Sequence, residues 1–129
     1  MMRSGVLNKT ENLETGRRGE SLAAEFLQNK GYRIIERNYR TRYAEIDLVA
    51  EYKDIIVFVE VRTKKNERFG SPEETINRAK VQKLIKNAKD YMAIKKYDKA
   101  YRIDAVCIVL DKSQSPKRLD HYENITLIF

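Results

Sequence analysis

The spacing of hydrophobic residues changes several times along the chain, and each change marks an element. No apolar period runs through residues 1–14, which read as a flexible N-terminal tail ahead of a single domain over 15–129. From about Arg17, the positions Leu22, Ala23, Phe26 and Leu27 recur at helical spacing, and the predicted helix runs to Lys30 with Gly31 as its cap. Tyr32 to Asn38 reads as a strand centred on Ile34 and Ile35. Two short apolar runs follow, 44–50 and 57–62. The turn at Tyr52-Lys53-Asp54 separates them by a hairpin length, which makes them antiparallel neighbours. Ser71 as cap, Pro72 at the first helical position and Glu74 as capping-box acid then open a long helix to about Lys95. Its buried stripe is Val81, Leu84, Ile85, Ala88 and Met92. Tyr101 to Leu110 is a strand, Asp111 to His121 a polar loop, and 125–129 a closing edge strand. The order predicts a small α/β domain with a central sheet flanked by helices.

The two central strands carry acids where a buried strand should have none. Ala44-Glu45-Ile46-Asp47-Leu48-Val49-Ala50 places Glu45 and Asp47 on one face, and Val57-Phe58-Val59-Glu60-Val61-Arg62 does the same for Glu60 and Arg62. An ionised carboxylate in a core needs a cation, a hydrogen-bond network or an open cleft. If the strands pair, Asp47, Glu60 and Arg62 converge. Two carboxylates there suit Mg²⁺, and a nearby cation would stabilise charge during phosphodiester cleavage. The plainer alternative is a pair of buried ion pairs, Glu60 with Arg62 or with a helix lysine. Glu20 falls on the apolar side of the first helix. It either complements the helix dipole or points a third carboxylate at the strands.

Charge narrows the class of partner. The 129 residues are 42% hydrophobic and 35% charged, with a net charge of +7. A small basic chain suits nucleic acid, and an anionic membrane surface would also attract it. The N-terminus lacks the apolar run of a signal peptide or membrane span, so a cytoplasmic location is expected. Tyr39-Arg40-Thr41-Arg42-Tyr43 alternates aromatic and basic residues, as a surface that stacks bases and holds phosphates would. Thr63 to Gly70 is a basic loop containing Lys64. Arg78, Lys80, Lys83, Lys86 and Lys89 lie largely off the buried stripe of the second helix, as a solvated or phosphate-binding face. Cys107, the only cysteine, reads as a small buried hydrophobe, and His121, the only histidine, as a solvated loop residue. Asp104, just ahead of an apolar run, suits an ion pair or a turn-side hydrogen bond.

Gly19-Glu20, Glu45-Ile46-Asp47-Leu48 and Val57-Phe58-Val59-Glu60-Val61-Arg62 resemble, in order and spacing, the YraN-like family, over about Gly16 to Leu110. That family is similar in fold to the restriction-endonuclease-like nucleases, archaeal Holliday junction resolvases among them. The resemblance implies a restriction-endonuclease-like α/β fold with a central mixed five-stranded sheet. It also implies Mg²⁺ or Mn²⁺ as cofactor, and hydrolysis of phosphodiesters in branched or structured DNA. By motif position, Glu20, Asp47 and Glu60 are the metal ligands, and Arg62 completes the catalytic set where the nucleases carry lysine. Arginine stays protonated and cannot act as a base, so Lys64 on the same strand face is a candidate substitute. Arg40, Arg42, Lys64, Lys80 and Lys83 are the expected DNA contacts. A homodimer follows from the resolvases, which make two cuts. The alternative is a non-catalytic DNA-binding or protein-interaction module that retains the fold.

Overall fold

The structure is a computed structural model. It describes the backbone of residues 2–128, and side chains from Asn12 to Ile128. α1 covers Met2–Asn29, so its backbone begins well before the apolar period does. The tail expected over residues 1–14 falls mostly on positions whose side chains lie outside this description. The C-terminal turn of α1 closes as expected: Gly31 has φ +94°, and the Tyr32 N–H donates to the Leu27 carbonyl at 3.0 Å.

Five strands follow in spatial order β1-β2-β3-β4-β5: Arg33–Arg40, Glu45–Tyr52, Ile55–Lys64, Tyr101–Leu110 and Pro116–Tyr122. The β2–β3 hairpin turns at Lys53 and Asp54, both with positive φ (49° and 66°), the conformation that matches the twist of the two strands. β3 and β4 pair in parallel, and the other three pairings are antiparallel. A parallel pair needs a crossover, and α2 (Arg78–Lys95) provides it. α1 covers one face of the mixed sheet through Ala23, Ala24 and Leu27, packed on Leu48, Val57, Val59, Val106 and Ile108. α2 covers the other through Val81, Leu84, Ala88 and Tyr91, packed on Val49, Phe58, Ile103 and Cys107. β4 is buried on both faces from residue 103 onward, which is why residues 105–110 read as an unbroken apolar run. Among the described residues no helix is long and apolar enough to cross a membrane.

Three expectations are corrected. The capping signal at Ser71 starts only one 3₁₀ turn, Pro72–Thr75; the chain then extends through Ile76 and restarts as α2 with Asn77 accepting the Lys80 N–H at 2.9 Å. Ile76 is buried, and dropping it into the core breaks the helix in two. Second, the loop expected over 111–121 contains β5, while the expected last strand is a 3₁₀ turn, Ile125–Leu127, with Phe129 outside the described residues. β5 hides because it is a polar edge strand whose only strongly apolar inward residue is Leu119.

Third, His121 is not a solvated loop residue. Its side chain is 2% exposed and its Nε2 lies 2.8 Å from Asp104 Oδ2. Asp104, fully buried, also accepts from Arg102 Nε (2.8 Å), Arg102 Nη2 (2.9 Å) and the Asn124 N–H (3.0 Å). The expected ion pair of Asp104 is thus present. Burial pushes its pKa up, but the bonds from His121, Arg102 and Asn124 together hold it below the ordinary aspartate value.

Candidate functional site

β2 and β3 pair from Tyr52–Ile55 out to Leu48–Val59. Beyond that point they part. β2 continues with β1 to Arg40–Glu45, and β3 continues with β4 to Lys64–Val109. Asp47 stands at the fork. Its Oδ2 accepts the Val61 N–H at 2.8 Å, filling the place of a neighbouring strand's carbonyl. Glu60, one residue back on β3, is 7% exposed. Its carboxylate is met by Arg62 Nη2 at 2.8 Å from its own strand and by Lys80 Nζ at 3.4 Å from the first turn of α2.

Two carboxylates here share too little solvent. Burial first, then the Glu60 charge, push the Asp47 carboxyl up to about 8, and Glu20 adds to the rise. The Val61 bond and the Lys80 charge oppose it without cancelling it. The fork therefore favours a proton, or a cation, on Asp47 near neutral pH.

Glu20 arrives from α1. Gly19 before it is buried, and a Cβ there would fall 1.7 Å from Thr63 Oγ1. A side chain at 19 would push α1 off β3, so glycine sets the helix at the distance that presents Glu20 to the sheet. Glu20 Oε1 accepts from Asn38 Nδ2 at 2.9 Å, and the same amide reaches Glu45 Oε1 at 3.4 Å. Asn38 holds a left-handed conformation (φ 50°) near the end of β1. Glu20 and Glu45 thus form an outer acidic pair on Asn38, beside the inner pair Asp47 and Glu60.

Among the described residues no three acidic, histidine or cysteine side chains stand close enough to form a ready metal cage. Mg²⁺ does not need one: it usually takes one or two protein carboxylates and completes its shell with water and phosphate oxygens. The inner pair fits such an ion in ligand type and number.

The expected DNA contacts divide. Arg40 and Arg42 are exposed at the β1–β2 turn. That turn is fastened to α2 by a hydrogen bond between Thr41 and buried Asn87. Arg42 pairs with Asp90 at 3.2 Å and lies 5.1 Å from the Tyr43 ring centre, with Lys86 Nζ also 5.1 Å away. Lys83 is exposed on α2, and Lys64 is half-buried at the end of β3. Lys80 turns inward to Glu60. Its position was legible: 80, 84 and 88 are spaced by four, which puts it on the buried stripe. Asn38 gave no signal in the sequence.

A sequence family described as "Uncharacterised protein family UPF0102" matches residues 19–108, a span that includes Gly19, Glu20, Asp47, Glu60 and Arg62. A UPF0102 protein of Syntrophomonas wolfei is 44% identical over 88% of this chain and 97% of its own. One from Persephonella marina is 47% identical over 73% and 82%, and one from Thermodesulfovibrio yellowstonii 38% over 87% and 95%. On a match across most of the chain, with relatives well above 30% identity, this protein belongs to the UPF0102 family, the YraN-like proteins.

Proposed function

We propose that this protein binds nucleic acid and hydrolyses phosphodiesters with a divalent cation at Asp47 and Glu60, on a restriction-endonuclease-like fold. The observation that carries the reading is the fork: two strands part at Asp47, whose carboxyl feels the charge of Glu60 on the neighbouring strand, with Arg62 and Lys80 on the Glu60 carboxylate. Mg²⁺ or Mn²⁺ bound there would polarise a phosphoryl oxygen and acidify a water. Asp47, held by the Val61 N–H, and Glu60 are the protein ligands. Glu20 and Glu45, joined through Asn38, add negative field that draws a cation towards the fork. Arg62 binds the phosphate as a fixed charge and cannot take a proton. Lys80 is the amine at the carboxylate pair, the position for which Lys64 was the candidate. Arg42 and Lys86 flank the Tyr43 ring, which is 46% exposed, and Arg40 and Lys83 are exposed on the β1–β2 turn and α2, which suits a nucleic-acid backbone and base. A homodimer and a cytoplasmic location accompany this reading.

One observation favours a second reading. Glu60 is already met by two cations, so the fork is partly neutralised without metal, as in a module that keeps the fold and has lost cleavage. A panel of labelled linear, single-stranded and branched DNAs with Mg²⁺ or Mn²⁺ separates the two. Metal-dependent cutting that falls about 100-fold or more in Asp47→Asn, with affinity little changed, supports the nuclease. Equal DNA binding with no cutting by either form supports the module. Absence of both DNA and metal binding overturns the proposal.

A further inference from the structure

Phe69 is 90% exposed, the most exposed large apolar side chain described. The loop that carries it is folded rather than loose. Asn66 Oδ1 accepts the Arg68 N–H at 3.0 Å, the Gly70 N–H donates to the Glu67 carbonyl at 3.3 Å, and Glu67 pairs with Arg118 of β5 at 3.2 Å. Gly70 has φ +116°, a conformation open to glycine, and it turns the chain so that the ring before it faces water. The Arg68 guanidinium lies 5.7 Å from the ring centre. A built loop that holds an aromatic ring in solvent, with a cation beside it, presents a stacking face.

The ring also sits at the mouth of a groove. A cavity of about 210 Å³ is lined by Thr63, Lys64, Lys65, Asn66 and Phe69. A second, of about 290 Å³, shares Thr63 and Lys64 with it and continues to Arg62 and Pro72. The path runs along the last residues of β3, from the exposed ring to the side chain that meets Glu60. Arg62, at the inner end of the path, keeps its Nε buried with no hydrogen-bond partner among the described residues.

We propose that Phe69 stacks an unpaired base of a strand that runs through this groove, with its phosphates along Lys64 and Arg62 towards the fork. Lysine and arginine along the groove suit a polyanion, and the lone ring suits a base whose face is free. In a duplex, base faces are covered by their neighbours, so the preferred nucleic acid has a single-stranded segment next to the site. This rests on the nucleic-acid reading above but not on cleavage.

The test is equilibrium binding, without divalent metal, of a single strand, a blunt duplex and a duplex with a single-stranded tail. Each carries one 2-aminopurine, whose fluorescence is quenched on stacking. Wild type, Phe69→Ala and Phe69→Trp are compared. The expected result is quenching by wild type and Phe69→Trp. Phe69→Ala should lose it and bind single-stranded and tailed DNA about tenfold or more weakly, with duplex affinity within about threefold of wild type. Phe69→Ala binding all three DNAs like wild type overturns the stacking role and leaves the nucleic-acid reading standing. Wild type binding none of them overturns both. A Phe69→Ala protein that loses a dimer seen for wild type by sedimentation, with no change in DNA preference, assigns the ring to a second copy of this chain and overturns the proposal.

Discussion

Asp47 shows how a residue's chemistry depends on what faces it. Its carboxyl is pushed up to about 8 by burial and by Glu60. A raised folded pKa means that the folded state binds the proton more tightly than the unfolded chain. The stabilisation is complete below the unfolded value of 3.8 and is lost as pH rises through about 8. Between those limits metal-free stability should therefore decline with pH, and Asp47→Asn, which keeps an acceptor for the Val61 N–H, should flatten the decline. The expected gain at pH 8 is on the order of 1–2 kcal/mol by urea denaturation, discounted for the partial exposure of the site. A metal at the proposed site would displace the same proton. Mn²⁺ affinity measured by calorimetry should rise up to about tenfold per pH unit below 8 and level off above it. Affinity that does not vary with pH would remove Asp47 from the ligand set.

Asp104 is the opposite case at the same scale. It is buried and ionised, because Arg102, His121 and the Asn124 N–H all donate to it. Asp104→Ala would take the carboxylate from the His121 imidazole and leave Arg102 with Tyr32 and Glu123 alone, and should destabilise the protein by about 3–5 kcal/mol, read from the urea midpoint. Its depressed pKa places the corresponding loss in acid, as pH falls below the ordinary aspartate value.

Between elements, the decisive contact is α1 against β3. Gly19→Ala places a methyl group on Thr63 Oγ1, within a contact no pair of atoms tolerates. Helix or strand must move, at about 1–3 kcal/mol, and Glu20 moves with the helix. Thermal unfolding should register the loss, and any cleavage should fall further than stability alone explains. The pairing of β2 with β3 is the other contact at this scale. Alternation in each strand correctly placed Glu60 and Arg62 together. It did not show that the strands stop pairing at Leu48–Val59, and that parting is what makes room between them.

For the whole molecule the net charge is +7, with basic residues at the β1–β2 turn, on α2 and in the 64–68 loop among those that carry it, while the acids Glu20, Glu45, Asp47 and Glu60 collect at the fork. A basic rim around an acidic centre suits a polyanion that reaches its cation through a bound metal. DNA affinity should fall at least tenfold between 50 and 200 mM salt, measured by fluorescence anisotropy, as it does for proteins that displace several counterions. Asp47→Asn should leave that slope unchanged, because it alters the centre and not the rim.

Periodicity and turn chemistry by themselves determined α1 from Arg17 onward, the hairpin, the stripe of α2 and β4, because each buries a regular apolar face. They also singled out Asp47, Glu60 and Arg62, because charges in apolar strands are conspicuous. Only the tertiary structure decided the rest. β5 is a strand because β4 offers it a free edge, and its own pattern carries almost no apolar signal. The helix breaks at Ile76 because the core takes that side chain. His121 is buried because Asp104, seventeen residues earlier, lies on the strand beside it. The spacing of 80, 84 and 88 turns Lys80 inward, but its meeting with Glu60, like that of Asn38 with Glu20, is a contact between separate elements that no local pattern encodes.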